Sequence, residues 1–353
     1  MVMTTTKTMK TAVYYRNTDV RLEERPIPTI GPGELLVKTM ACGLCGGETM
    51  EWYLAPRAPK ILGHEPTGVV VQVGAGVKGI KEGDRVFVHH HVACMRCHYC
   101  QRGYFTMCEQ YSKSGIDPGG FAEYFRVPSE NAYFDTLVLP DEISFEEGTV
   151  IEPMACVLHG VRQTPISHGD TVAIVGLGFM GMCYLELVRL SPAGRIIGID
   201  FSDWRLEKAL QLGATHIINP KKESPVDAIK EINEGRLADV VIVTAPTVKA
   251  WEQGFALCAK GAHIHFGAPP PPDASLSINP NFLYFNEIKI NSAYSASHID
   301  TRSVLEMLAS GRLDAKPLIT HQFGLDGVQE AIQMLLQAGE SLKSIIIPDL
   351  TKS

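Results

Sequence analysis

Four thiols fall within fifteen residues of this chain: Cys94, Cys97, Cys100 and Cys108, separated by two, two and seven residues. Spacing that tight lets one loop wrap a single tetrahedral ion. Four thiolates leave no position open to a substrate, so the chemistry implied is a structural zinc site. A redox Cys-x-x-Cys pair would not need the other two thiols. An iron–sulfur cluster would use all four, and spacing alone leaves it open. A second set of ligand types is more dispersed. Cys42 and Cys45 form another Cys-x-x-Cys, Gly63-His64-Glu65 follows, and Glu152-Pro153 comes far downstream. A thiolate, an imidazole and carboxylates together suit a zinc ion that keeps one position open for chemistry. His98 sits inside the four-cysteine loop and is expected at the surface. His89, His90 and His91 precede that loop, and three neighbours cannot share one face of a strand, so at most two are expected to point inward.

A third feature binds rather than reacts. Gly176-Leu177-Gly178-Phe179-Met180-Gly181 follows an apolar β-branched run and opens a helical one. In that context the first glycine permits a tight turn, the second lets the backbone approach a pyrophosphate, and the third lets helix and strand pack closely. Asp200 lies 19 residues past Gly181. A carboxylate there hydrogen-bonds the ribose hydroxyls of NAD and repels the extra phosphate of NADP, so NAD is expected over NADP. Arg205 is placed to stack on the adenine. Thr244, Ala245, Phe266, Gly267 and Tyr294 complete the expected cofactor contacts.

These groups need two kinds of scaffold. Residues 10–40 read as short strands cut by Pro26, Pro28, Gly31, Pro32 and Gly33, and Gly68–Gly74 and Gly83–Val88 continue the pattern, which suits a compact barrel or sandwich. From about residue 170 strands and helices alternate: Thr171–Val175, a helix to Leu190, Arg195–Ile199, a helix from Asp203, then His216–Asn219, Asp239–Val243 and Ala262–Phe266. That grammar predicts a parallel sheet with helices on both faces. A helix over Thr301–Ser310 and a closing helix and strand follow. The fold class expected is therefore α/β, with a β-rich domain joined to a doubly wound parallel sheet.

Composition narrows the function. With 32 Lys+Arg against 39 Asp+Glu, net charge −7, there is no basic excess to neutralise nucleic acid, which is not expected as a partner. The longest apolar stretch, Val172–Leu185, has 14 residues and three glycines. A membrane span needs about 20, so no membrane partner is expected. The segment MVMTTTKTMK has no apolar core of a secretory leader. A reducing cytoplasm is the expected setting, where clustered cysteines serve as metal ligands.

In this order the motifs resemble the zinc-dependent medium-chain dehydrogenases, nearest the sorbitol (polyol) and threonine dehydrogenase branch. The resemblance rests on Cys45-Gly46, Gly63-His64-Glu65, Gly83-Asp84-Arg85-Val86, the four-cysteine lobe, Glu152-Pro153, the glycine loop and Ser310-Gly311-Arg312 with Lys316-Pro317-Leu318-Ile319-Thr320-His321. It implies a GroES-like zinc-binding catalytic domain over 1–160 and 295–353, a Rossmann NAD-binding domain over 161–294, and a homodimer or homotetramer. It implies two zinc ions, one structural and one catalytic. Cys45 and His64 would be ligands of the catalytic ion, with Glu65 and Glu152 at or beside it, and Cys42 would be a buried packing residue, as would Cys156, Cys183 and Cys258. The reaction implied is reversible oxidation of a secondary alcohol on a polyol, sugar or related hydroxylated small molecule. Hydride passes to nicotinamide C4 while zinc polarises the substrate oxygen.

The chain departs from the family where the proton should leave. The family pattern after the ligand cysteine is Gly, Ser or Thr, then Asp, with a histidine three residues past the hydroxyl. Here it is Gly46-Gly47-Glu48-Thr49-Met50. Gly47 and Met50 remove the usual relay, and Glu48 stands for the aspartate. Glu48 is the expected proton acceptor, with Thr49, Glu51, Glu65 and the histidines at 89–91 as alternatives. Otherwise the substrate brings its own acid or hydroxyl, or the scaffold runs altered or silent chemistry. Ser295 stands where relatives often carry arginine. Glu51, Trp52, Tyr53 and Arg57 are expected near the substrate, with Trp52 and Tyr53 equally readable as core.

Overall fold

The structure is a computed structural model that describes residues 7–350. The chain divides into two compact units: residues up to Ala155 together with those from Ala296, and Cys156–Ser295. The first junction falls a few residues before the expected one, inside the helix Ile151–Arg162, between Pro153 and Gly160.

The first unit is built on strands β1 (Thr8–Arg16), β2 (Asp19–Pro26), β3 (Leu35–Gly43), β4 (Lys60–Ile61), β5 (Glu65–Val73), β6 (Arg85–Val88), β7 (Tyr124–Val127) and β8 (Thr136–Val138). The second contributes β9 (Thr171–Val175), β10 (Arg195–Ile199), β11 (His216–Ile218), β12 (Ala238–Val243), β13 (Cys258–Phe266) and β14 (Lys289–Ser292). The chain then returns to the first unit with β15 (Ile319–Phe323) and β16 (Lys343–Ile346). A seven-stranded sheet runs β15-β16-β3-β5-β6-β8, with β7 also on β3, beside a small sheet β2-β1-β4. β3 is the hub. It pairs with β5 along one edge, while β7 (Leu35–Lys38) and β16 (Cys42–Gly43) share the other end to end. Flanked on both edges, β3 is buried almost throughout, which is why its sequence is apolar without alternation.

In the second unit all strand pairs are parallel, in the order β11-β10-β9-β12-β13-β14. Counted from β9, that is the 3-2-1-4-5-6 order of a Rossmann sheet. The order reverses between β9 and β12. Because parallel crossovers are right-handed, the helices Phe179–Arg189 and Asp203–Gln211 cover one face and the later ones the other. Every residue of β9 is buried, as a central strand covered on both faces must be.

The helix expected from Thr301 begins earlier, at His298. Ser297 and Asp300 form its cap, with Asp300 Oδ2 accepting from the Ser297 backbone N–H at 2.9 Å and from its hydroxyl. That serine–x–x–acid signal was present in the sequence. Among the described residues no helix is long and apolar enough to cross a membrane.

Candidate active site and metal centres

The first cluster forms where β3 ends. Cys45 has extended backbone and caps the single turn Gly46–Thr49, its sulfur accepting from the Gly47 N–H at 3.4 Å. Glu48, three residues on, reaches back to the Cys45 N–H at 3.2 Å, completing a capping box with a thiol in place of the usual hydroxyl. The other Glu48 oxygen accepts from the Gly63 N–H at 2.6 Å and lies 2.9 Å from Nδ1 of His64. Burial pushes the Glu48 carboxyl up. The charge and hydrogen bond of His64 and the N–H groups of Gly63 and Cys45 outweigh it, and its pKa falls below the usual carboxylate value. Cys45, His64 and Glu65 offer ligand atoms all within 4.8 Å of one another.

Glu65 opens β5 and is fully buried. One of its oxygens is ion-paired with the ammonium of Lys343, a lysine 1% exposed on β16 that also donates to the Leu44 carbonyl at 3.1 Å. Burial presses the Lys343 pKa down, but the Glu65 charge outweighs it and leaves it above the usual lysine value. Gly43 makes the pair possible: a Cβ there would lie 1.9 Å from Glu65 Oε2 and 2.7 Å from Lys343 Cε. Lys343 was not singled out from the sequence. The available signal was a cation inside the apolar strand Leu342-Lys343-Ser344-Ile345-Ile346.

Glu152, in the first turn of its helix and 4% exposed, groups with His89 and His90. At most two of the histidines at 89–91 are expected to point inward, and the structure turns all three inward. His89 is fully buried with Nδ1 2.7 Å from Asp135. His90 packs on His64 with ring centroids 4.7 Å apart, and His91 lies 3.1 Å from the Ser114 carbonyl. β6 ends at Val88 and the chain bends at His90, so strand alternation no longer sends neighbours to opposite faces. Trp52 and Tyr53 are 46% and 42% exposed, which rules out their reading as core. Cys42, Cys183 and Cys258 are buried, but Cys156 is only half-buried, on the helix face it shares with His159 and Gln163.

The four-cysteine lobe brings Cys94, Cys97, Cys100 and Cys108 within 4.8 Å. Sulfur separations are 3.5 Å (Cys97–Cys100) and 4.0 Å (Cys94–Cys100). A tetrahedron with metal–sulfur bonds of about 2.3 Å has edges of about 3.8 Å, so the lobe fits one zinc-sized ion. A cluster, which places several iron and sulfide atoms among its thiolates, would need them further apart. The backbone N–H of Arg96 lowers the Cys94 thiol to about 6, while burial and neighbouring thiols push Cys100 up to about 12. His98 is exposed.

In the second unit, Gly176 turns at φ +93° and Gly178 caps the helix Phe179–Arg189. A Cβ on Gly181 would lie 2.0 Å from the Gly176 carbonyl, so only glycine lets helix and loop meet. Thr244 donates its hydroxyl to that carbonyl at 2.7 Å. Asp200 directly follows β10, accepts from the Leu177 N–H at 2.7 Å and the Ser202 N–H at 2.9 Å, and has the Arg205 guanidinium 3.8 Å away. Leu177 points into the core, and Phe179 and Met180 are half-buried. A Cβ on Gly176 would meet the Ala245 backbone nitrogen at 3.0 Å. Phe266 stacks on Trp251, Gly267 lies against Tyr184, and Tyr294 is 55% exposed. Ser295 follows in left-handed backbone.

Comparison with known proteins agrees with this arrangement. The alcohol dehydrogenase GroES-like domain matches residues 31–137, and the zinc-binding dehydrogenase domain matches 180–310. The chain is 33% identical to sorbitol dehydrogenase of Bacillus subtilis, covering 99% of this chain and 100% of that one. It is equally identical to L-threonine 3-dehydrogenase of Pyrococcus abyssi, covering 96% and 97%. Among solved structures, 2R,3R-butanediol dehydrogenase from Bacillus subtilis superposes with TM-score 0.84 at 28% identity, covering 97% of this chain and all of that one. A two-unit, zinc-binding alcohol dehydrogenase is the class these features define. The chain belongs to the zinc-dependent medium-chain dehydrogenases, is similar to their sorbitol and threonine dehydrogenase branch, and is an alcohol-oxidising oxidoreductase.

Proposed function

We propose that this protein oxidises a secondary alcohol of a polyol, sugar or related hydroxylated molecule to the ketone, reversibly, with NAD as cofactor. The observation that carries the reading is the convergence of Cys45, His64 and Glu65 within 4.8 Å, in a chain whose relatives are named for sorbitol, L-threonine and butanediol. Zinc held there supplies a Lewis acid for the substrate oxygen, and the nicotinamide ring supplies the hydride acceptor.

The chain's own residues hold and orient. Glu48 engages Nδ1 of His64 and leaves Nε2 free to ligate, the arrangement that fixes ligating histidines in metal sites. Its carboxylate is occupied by three N–H donors and its pKa is lowered, so we assign it as a positioning residue in place of the proton acceptor first expected. Lys343 balances the Glu65 charge. The four-cysteine lobe would hold a second, structural zinc. Asp200, at the end of β10, supports NAD over NADP. A homodimer or homotetramer in the cytoplasm completes the proposal.

Gly47 and Met50 favour a second reading: the same scaffold working as a reductase, passing a redox change through NAD without net turnover, or silent. One set of assays separates them. NADH absorbance is followed with polyols and simple secondary alcohols in one direction and the matching ketones in the other, with Cys45→Ser as control. Polyol turnover that Cys45→Ser abolishes, with the fold retained, is expected. Full activity in Cys45→Ser would overturn the assignment.

A further inference from the structure

The turn after Cys45 is loose by composition. A Cβ on Gly46 would meet nothing within 4 Å among the described residues, and one on Gly47 would meet the Cys45 sulfur at 3.7 Å. Packing therefore demands neither glycine, and two in succession give the backbone beside a ligand cysteine unusual freedom. Glu48 holds the inner side of that turn. Its outer side is held by Asn17, which lies in the turn between β1 and β2 and is 6% exposed. Nδ2 of Asn17 donates to the Thr49 carbonyl at 2.8 Å, its backbone N–H donates to Glu51 Oε1 at 3.2 Å, and its Oδ1 accepts from the Tyr14 hydroxyl at 2.9 Å. Its carbonyl accepts from Nε2 of both Gln329 and Gln333 at 2.6 Å, on the helix Val328–Gln337. Asparagine carries a donor and an acceptor on one short side chain, and here both are engaged.

The segment that follows has little else to hold it. In the helix Glu51–Leu54 the one buried residue is Leu54, which joins a core cluster with Leu44, Leu62, Val328 and Ile332. Trp52 and Tyr53 are exposed. The Arg57 guanidinium lies 4.2 Å from the Tyr53 ring centroid and donates to the Tyr53 carbonyl. These three residues are the ones expected near the substrate. A simple secondary alcohol has little beyond its reacting carbon, whereas a polyol or sugar extends past it and needs a wall to rest on. Contacts to such remote parts align the reacting carbon. We propose that Asn17 is a positioning residue that sets a preference for extended hydroxylated substrates over simple alcohols, by holding Trp52, Tyr53 and Arg57 in place relative to Cys45, a role that rests on the polyol reading above.

The test compares full-length wild type and Asn17→Ala on hexitols (sorbitol, mannitol, galactitol) and on propan-2-ol. Zinc content, melting temperature and hydrogen exchange are measured on the same proteins. In Asn17→Ala, kcat/KM for the hexitols should fall about tenfold, through KM, while kcat/KM for propan-2-ol changes by no more than about twofold. Exchange should quicken at the amides of Tyr53 and Leu54, which donate to the Met50 carbonyl at 2.9 and 3.0 Å. Zinc content and KM for NAD should hold. Gln333→Ala removes one of the two donors to the Asn17 carbonyl and leaves the bond to Thr49. It should lower the melting temperature without moving the preference, and an equal shift of preference in Gln333→Ala would overturn the proposal in favour of a general loss of stability. Equal losses on hexitols and propan-2-ol in Asn17→Ala also overturn it, as does unchanged exchange at Tyr53 and Leu54. Tyr14→Phe leaves Asn17 in place but frees its Oδ1, so it carries the test if Asn17→Ala fails to fold; a smaller shift in the same direction is expected, and none would count against Asn17. A wild type inactive on every hexitol refutes the proposed substrate class, and the preference with it. An active wild type matched by Asn17→Ala refutes the role of Asn17 alone.

Discussion

Replacing Glu48 tests whether it holds His64 or takes the substrate proton. Glu48→Ala strips the partner from three N–H donors: Gly63, Cys45 and Nδ1 of His64. A buried donor left unpaired costs about 1–3 kcal/mol, so the unit should lose roughly 3–5 kcal/mol once water or a shifted ring recovers part of the loss. For a unit of this size that lowers the melting temperature by about 10 °C. Loss of the outer support of a ligating histidine should weaken zinc binding by about 10–100-fold. Glu48→Gln is the finer probe. Its carbonyl oxygen can still serve Gly63 and His64, but its amide would face the Cys45 N–H donor to donor, so a loss of about 1–2 kcal/mol is expected. The assays are chelator competition for zinc, thermal unfolding and NADH turnover. If Glu48 positions His64, zinc affinity and activity fall together and Glu48→Gln keeps part of both. Unchanged zinc affinity with turnover abolished in Glu48→Gln would refute the reasoning and restore Glu48 as proton acceptor.

Asp200→Ala should weaken NAD binding about tenfold or more and relax discrimination against NADP, measured by calorimetry with both cofactors; unchanged preference would remove Asp200 from the cofactor site. Gly181→Ala drives a methyl into the Gly176 carbonyl 2.0 Å away, so the loop must open and NAD affinity should fall at least as far; a binding isotherm equal to wild type would show that the loop yields freely. Burial lowers the His265 pKa to about 4. As pH falls through about 6.5 the unfolded chain takes up the proton first. Stability contributed by this group is therefore complete above that pH and declines until about pH 4, by about 3 kcal/mol. Melting curves across that range should show a shallower decline in His265→Gln, and equal declines would exclude the group. Ala338 ends the helix Val328–Gln337 in left-handed backbone, exposed, at φ 50°. Ala338→Gly should therefore raise stability by about 0.5–1 kcal/mol in denaturant titrations; a destabilised variant would contradict it.

The second unit was the more legible in sequence. β9, β10 and β12 are covered on both faces and so read as mostly apolar runs, and the glycine loop declares where a strand gives way to a helix. The four cysteines were legible because their spacing alone encloses an ion. Other parts depend on events the sequence does not mark locally. The inward turn of His89, His90 and His91 follows from β6 stopping at Val88, one residue before alternation would have sent them apart. Lys343 becomes meaningful only when β16 docks on β3 and meets Glu65. Glu48 could be read as an acid or as a cap, and its cap role needed the Gly63 and His64 donors to arrive from another segment. Trp52 and Tyr53 could be read equally as substrate-pocket or core residues, and their short helix leaves both rings at the surface.

The Glu65–Lys343 pair also sets an order of events during synthesis. The strand carrying Glu65 is made before the contiguous second unit, and its counter-ion only afterwards, 278 positions further along the chain. At ribosomal speeds that is a delay on the order of tens of seconds. In that interval the nascent β3–β5 pairing carries a carboxylate without its ammonium, while the later unit can complete its own sheet from one uninterrupted stretch of chain. The seat of the chemistry is thus among the last parts of the protein to close, and a ribosome stalled beyond residue 295 would hold a finished cofactor fold attached to an unfinished metal site.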